Sequence, residues 1–316
     1  MGSGKAGRGN EVVAAAFLTV SVFFWGTAFR ATLIGADHTS TWVFNALRAV
    51  PATIFLALVA VVLRSRLPRG RTMWTWTAVS GVLMVTLALA GLSESAVRAG
   101  AGNAAVLANT SPFFVLVLGR LFLGERVSWI GPAGLAVGFA GIVTMVWPQL
   151  GGGESGDLVL GLAVALLSAA GWGIGTLMVK RMAERDPELD LVGLSVGQYL
   201  IGAPVLVVLG LAISGTGGTD WGSIDLWGAV LWVAIGASAL GQLLFFAGLK
   251  RISASKASAW GFLSPVVAVL VETARGDAPT AIVLVGMVLV IVGVAVVNAA
   301  PVREVAPAPA PAPAGD

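Results

Sequence analysis

About ten apolar runs of roughly twenty residues follow one another through the chain, separated by short polar breaks. Each run is long enough to cross a hydrocarbon core of about 30 Å as a helix. Inside a bilayer the chain must satisfy every backbone N–H and C=O itself, which leaves helices and closed barrels as the spanning structures. The alternation of inward and outward residues that marks barrel strands is missing, so the fold class is all-α, a polytopic membrane protein. Composition agrees, since 57% of the 316 residues are hydrophobic and 11% are charged, against about 25% charged in a soluble domain.

The runs lie near residues 12–35, 42–63, 73–93, 101–123 and 129–147, and after a glycine-rich break near 158–179, 191–213, 226–248, 254–273 and 280–299. Residues 1–11 read as a disordered cytoplasmic start. Residues 300–316, with the stretch APAPAPAPAG, read as a disordered Pro/Ala-rich cytoplasmic tail that has no apolar face to bury.

Orientation follows from the basic residues, because short loops rich in Lys and Arg stay on the cytoplasmic side. With the N-terminus inside, Lys5, Arg8, Arg64, Arg66, Arg69, Arg71, Arg126, Lys180, Arg181, Arg185, Lys250, Arg251 and Arg303 all fall inside. Only Arg98 and Arg275 fall in outer loops. Both termini are then cytoplasmic and the chain sits in the cytoplasmic membrane. The same topology accounts for the sequence pI near 9.8 without a basic patch for nucleic acid.

Several chemistries drop out. The chain has no cysteine, which removes disulfides and thiolate nucleophiles, and His38 is its only histidine, too few for a histidine-based metal site or relay. No cofactor is implied. The GSGKAG start lacks the spacing and the Lys-Ser/Thr ending of a phosphate loop, and the glycosylation pattern at Asn109 falls inside an apolar run.

The two halves match without a gap at an offset of 153 residues: Arg98 meets Arg251, Asn103 meets Lys256, Ser111 meets Ser264, Pro112 meets Pro265 and Pro51 meets Pro204. Trp25-Gly26 recurs as Trp172-Gly173, displaced by a longer loop. Residues 12–147 and 158–299 are therefore two five-helix repeats, and an odd number of crossings turns the second upside down relative to the first, the arrangement of alternating-access transporters.

The segments WGTAF in the first run, ALRAV in the second, LFLGERVS closing the fourth, WGIGTLMVKR in the sixth and ISASKASAWGFLSPV entering the ninth occur in an order and spacing that resembles the EamA-type members of the drug/metabolite transporter superfamily. The resemblance implies ten helices in inverted repeats and a central cavity used to export metabolites, amino acids or organic cations, with some relatives importing instead. On the helices it places centrally, Asn103, Asn109, Thr110, Gln242, Trp260 and Ser264 would line the cavity, with Trp25 and Trp172 flanking it. One departure stands out. Gly124-Glu125-Arg126 ends the fourth run, and Asp277-Ala278-Pro279 stands at the matching place in the second repeat.

Arg30 and Arg48 interrupt otherwise oily runs at similar depths below the outer surface. A charge near a span's centre costs roughly 2.5–3.5 kcal/mol on insertion scales, and two readings stand. Arginine can snorkel to the surface with no function. Alternatively the pair joins Glu272, the first-choice counter-charge, and Glu94, the second choice, in an outer ion-paired gate, or meets an anionic group of the substrate. The expected protein is a secondary transporter, an exporter of amino-acid-like, amphipathic or cationic metabolites by alternating access, with the lipid bilayer, a small-molecule substrate and a candidate coupling proton as partners. A non-transporting membrane sensor or assembly protein is the alternative. A membrane-embedded lipid enzyme is the third, and it lacks the clustered nucleophile or acid/base pair it would need.

Overall fold

A computed structural model describes residues 3–150 and 158–304; the expected glycine-rich break and the Pro/Ala repeat lie outside the described residues. Among these, nine helices are long and apolar enough to cross a membrane, and Ile130–Val146 is a shorter apolar helix of 17 residues. Together they form ten consecutive spans. Ser40, Asp190, Ser223 and Ser253 cap the second, seventh, eighth and ninth by accepting from backbone N–H groups of the first turn.

Both ends of the chain differ from expectation. The first helix runs Ser3–Ala36, so residues 3–11 are helical instead of disordered: the apolar span supplies the nucleus, and adding turns to an existing helix costs little. Val302–Glu304 pairs antiparallel with Glu125–Val127, so the tail begins as a strand whose backbone groups are satisfied by a partner.

Four spans are interrupted, and they correspond between the halves. The fourth is Ala101–Ala108 followed by Ser111–Phe122, and the ninth is Ala254–Ala259, a 3-10 turn Trp260–Leu263, then Ser264–Ala274. Pro112 and Pro265 begin the later segments; proline lacks an N–H and cannot continue the helix across the break. The third span passes through a π-helical stretch, Val82–Leu87, and the eighth through another, Trp232–Gly241.

The packing repeats in the same way. The first span lies on the eighth and ninth as the sixth lies on the third and fourth, while the second packs on the seventh and the fifth on the tenth. This is a two-fold exchange of halves. The fifth and tenth spans meet through glycine: a Cβ on Gly141 would lie 2.7 Å from the Gly286 carbonyl oxygen, an approach only bare backbone permits.

Loop contacts fix which ends share a face. Glu11 lies 3.6 Å from the Lys256 ammonium, and Arg66 N–H donates to Asp190 at 2.9 Å, on the face that carries the termini. On the opposite face Asp220 N–H donates to the His38 carbonyl at 2.9 Å. Successive loops thus alternate sides, and the second repeat is inverted relative to the first.

Candidate substrate pathway

The two Trp-Gly pairs stand where the first and sixth spans pass the broken helices. A Cβ on Gly26 would sit 2.8 Å from the Ser264 carbonyl oxygen, and one on Gly173 3.2 Å from that of Ser111. Each glycine lets a helix pass close to the serine that opens the segment after the break. The tryptophans beside them meet each other: Trp25 and Trp172 pack edge to face with centroids 5.5 Å apart, and Phe245 of the eighth span lies 5.2 and 5.9 Å from them. The structure brings together this predicted pair, one from each repeat.

The π-helical stretches hold this arrangement. Inserting an extra residue per turn leaves carbonyls available, and side chains from neighbouring spans use them. Trp25 donates its indole N–H to Ala237 O at 3.2 Å, Tyr199 its hydroxyl to Ser238 O at 3.0 Å and Ser21 its hydroxyl to Gly241 O at 2.7 Å. In the other half Ser168 donates to Ala88 O at 2.7 Å. No hydrogen-bond partner among the described residues is within reach of the Trp172 indole N–H.

The remaining predicted residues fall into separate places. Gln242 donates to Gln198 at 2.9 Å and Gln198 to Ser80 at 2.8 Å, a buried relay joining the eighth, seventh and third spans. Asn103, Asn109 and Thr110 donate back to Ala99, Ala105 and Leu107 of their own span at 2.6, 2.7 and 2.6 Å. Ser264 is buried at the break. Trp260 donates to Asn298 at 3.2 Å and lines, with Glu11 and Lys256, a cavity of about 310 Å³ near the terminal face. Thr110 instead opens onto an apolar groove of about 680 Å³ walled by Phe113, Phe139 and Leu166.

The arginines separate. Arg30 Nη1 lies 3.9 Å from Glu272 Oε2, the expected first-choice pairing. Glu94 does not serve as their counter-charge: it bonds to Arg98 one turn along its own helix and accepts from the Trp42 indole. A neighbour four residues away on the same helix wins over a distant one because helical spacing already brings it into reach. Arg48 is left without a carboxylate among the described residues, its Nε buried and unbonded.

Sequence reasoning passed over the role of Glu125. This carboxylate is 2% exposed and accepts from the N–H groups of Ala254 and Ser255 at 2.7 and 3.3 Å and from the Ser255 hydroxyl at 2.8 Å. It clasps the start of the ninth span to the end of the fourth on the terminal face. At the matching place of the second repeat stands Ala278, whose side chain has no acceptor to offer the start of the fourth span. Burial follows this asymmetry: residues 254, 255 and 257–259 are buried, whereas 105–111 and 267–269 are only partly covered.

Ten inverted-repeat spans with mid-span breaks beside paired tryptophans define a polytopic membrane transport protein. The model of the EamA-like transporter family matches residues 12–147 and 159–299. The chain belongs to that family. It is similar to an uncharacterized transporter YvbV of Bacillus subtilis, 27% identical with 90% of this chain and 91% of that protein covered. It is also similar to a probable terminal-alkyne amino-acid exporter of Streptantibioticus cattleyicolor, at 27% identity over 89% and 92% of the two chains. A solved crystal structure superposes with a TM-score of 0.74 at 20% identity, covering 90% of this chain and 95% of its own, a likeness of fold.

Proposed function

We propose that the protein is a secondary exporter of small organic metabolites, amino-acid-like, amphipathic or cationic, working by alternating access between its two repeats in the cytoplasmic membrane. The observation that carries this reading is the meeting of Trp25 and Trp172 at 5.5 Å, one aromatic from each half beside the two helix breaks. A substrate held there touches both repeats, so their relative rocking moves it from one face to the other. The aromatic faces suit apolar side groups or organic cations. The positive-inside bias assigns the face with the termini to the cytoplasm. The Glu125 clasp at that face and the partly uncovered far halves of the fourth and ninth spans support a reading in which this conformation faces outward.

The test is counterflow in proteoliposomes, with radiolabelled amino acids and organic cations offered outside and the unlabelled solute inside. Accumulation that depends on the native protein and is lost in the Trp25→Ala/Trp172→Ala double variant supports the reading. Equal accumulation in protein-free vesicles for every solute rejects it.

A further inference from the structure

Among the described residues, the other basic side chains that lie partly or wholly below the surface have a carboxylate or a carbonyl partner. Arg30 faces Glu272, Arg98 bonds Glu94, Arg181 faces Glu184, and Lys256 faces Glu11. Lys180 donates to the carbonyls of Leu249 and Ile252 at 3.3 and 2.9 Å, and Lys250 to that of Leu189 at 3.3 Å. Arg48 differs. It is half-buried, and its Nε, like that of Arg30, is wholly enclosed without an acceptor, but unlike Arg30 it has no carboxylate paired with it among the described residues. It lies seven residues beyond Thr41, the start of the second span, which is about 10 Å along the helix. An unpaired cation at that depth destabilises the empty protein.

Its surroundings lead to the aromatic pair. Arg48 stands close enough to Tyr199 for the two to interact electrostatically. Tyr199 donates its hydroxyl proton to Ser238 O and, being neutral, supplies no counter-charge. The adjoining carbonyl, Ala237 O, accepts from Trp25, which packs on Trp172 and Phe245. A cationic end and an aromatic end therefore adjoin the same π-helical stretch.

We propose that Arg48 is the anion subsite of the transport pathway and that it takes a monoanionic carboxylate of the substrate, whose apolar part rests against Trp25, Trp172 and Phe245. The proposal rests on the transport reading above. The guanidinium fork matches a carboxylate in a bidentate pair. One guanidinium balances one negative charge, whereas a phosphate monoester brings about −1.5 to −2 at neutral pH and would leave uncompensated charge inside the membrane. Arg30, already facing Glu272, is not part of this subsite.

The experiment is a thermal-shift titration of the purified full chain in nanodiscs with acetate, butyrate, 3-phenylpropionate and L-phenylalanine, against L-phenylalaninamide and phenyl phosphate as controls. Each is run on native protein and on Arg48→Lys and Arg48→Met. The expected result is stabilisation of the native protein by the carboxylates, strongest for the aromatic ones, and none by the amide or the phosphate. In Arg48→Met the half-maximal concentration rises about tenfold or more, as for loss of a charge-assisted bond, and Arg48→Lys falls between. The empty Arg48→Met protein melts at the native temperature or higher, because the variant removes an unpaired charge. A lower melting temperature of that variant, an equal response to the amide, a response to phosphate alone, or no response to any carboxylate would overturn the proposal. Counterflow separates the two readings: carboxylates that stabilise but never accumulate reject transport and leave the subsite standing, while transport of a neutral solute with no carboxylate response does the reverse.

Discussion

Ser21 donates its hydroxyl to the Gly241 carbonyl at 2.7 Å, and Ser168 reaches the Ala88 carbonyl at the same length in the other repeat. These contacts exchange under the two-fold relation of the halves, and each closes a carbonyl at the end of a π-helical stretch. Ser21→Ala and Ser168→Ala should each destabilise by about 1 kcal/mol, the cost of leaving a buried acceptor unmet. Thermal unfolding in detergent should give two similar losses that add in the double variant, since the sites share no partner.

Gly26→Ala should cost more than Gly173→Ala. The new methyl would lie 2.4 Å from Val267 Cβ and 2.8 Å from a backbone oxygen in the first case, but 3.1 and 3.2 Å from its nearest neighbours in the second. Overpacking of this kind costs about 1–3 kcal/mol. Comparable melting temperatures for the two variants would show that the first and ninth spans separate freely.

Glu125→Gln should loosen the start of the ninth span by about 1 kcal/mol, the usual worth of a cap, or a factor of roughly five in the population with that end free. The native chain contains no cysteine, so a single one at buried Ser258 reports the change. Its labelling by a membrane-impermeant maleimide from the terminal face should rise several-fold in the variant. An unchanged rate would mean that the clasp does not hold this face shut.

Trp25→Phe and Trp172→Phe should separate stability from handling of the solute. The first removes the donor to Ala237 O and should lower stability by about 1 kcal/mol. The second removes an N–H with no protein partner among the described residues, so stability should hold while the half-saturating concentration in counterflow rises. Equal melting losses would reveal an acceptor for Trp172.

Asp190 supplies the pH dependence. Burial alone would raise its carboxyl, but the N–H groups of Gly193, Arg66 and Val192 and the Ser65 hydroxyl outweigh that and hold it below the ordinary carboxylate value. A depressed folded value means stability present above the unfolded value, about 3.9, and lost as pH falls through the lower folded one. The melting difference between native protein and Asp190→Asn should be constant above about pH 5 and shrink below pH 4.

Much of this architecture was legible because the bilayer allows so few solutions. The fifth span, expected at 129–147, is Ile130–Val146, and Pro112 and Pro265 mark real breaks, since proline acts locally. The third span was expected to end near 93 but continues to Ala99, because pairing Glu94 with Arg98 makes the charged turn compatible with a helix. The π-helical stretches left no local signal, since their carbonyls are satisfied by Ser21, Trp25 and Tyr199 from distant segments. For the same reason Glu125 could be read as a motif but not as a clasp: its partners, Ala254 and Ser255, stand 129 and 130 residues away.

The carboxylate at Glu125 has a counterpart position, Ala278, filled by a methyl group. Two identical halves would put equal locks on both faces, and the molecule would idle equally on either side. Among the described residues only one face carries such a carboxylate cap, so under the alternating-access reading proposed above the two faces are held by different contacts. A single side chain thus makes two nearly superposable halves unequal.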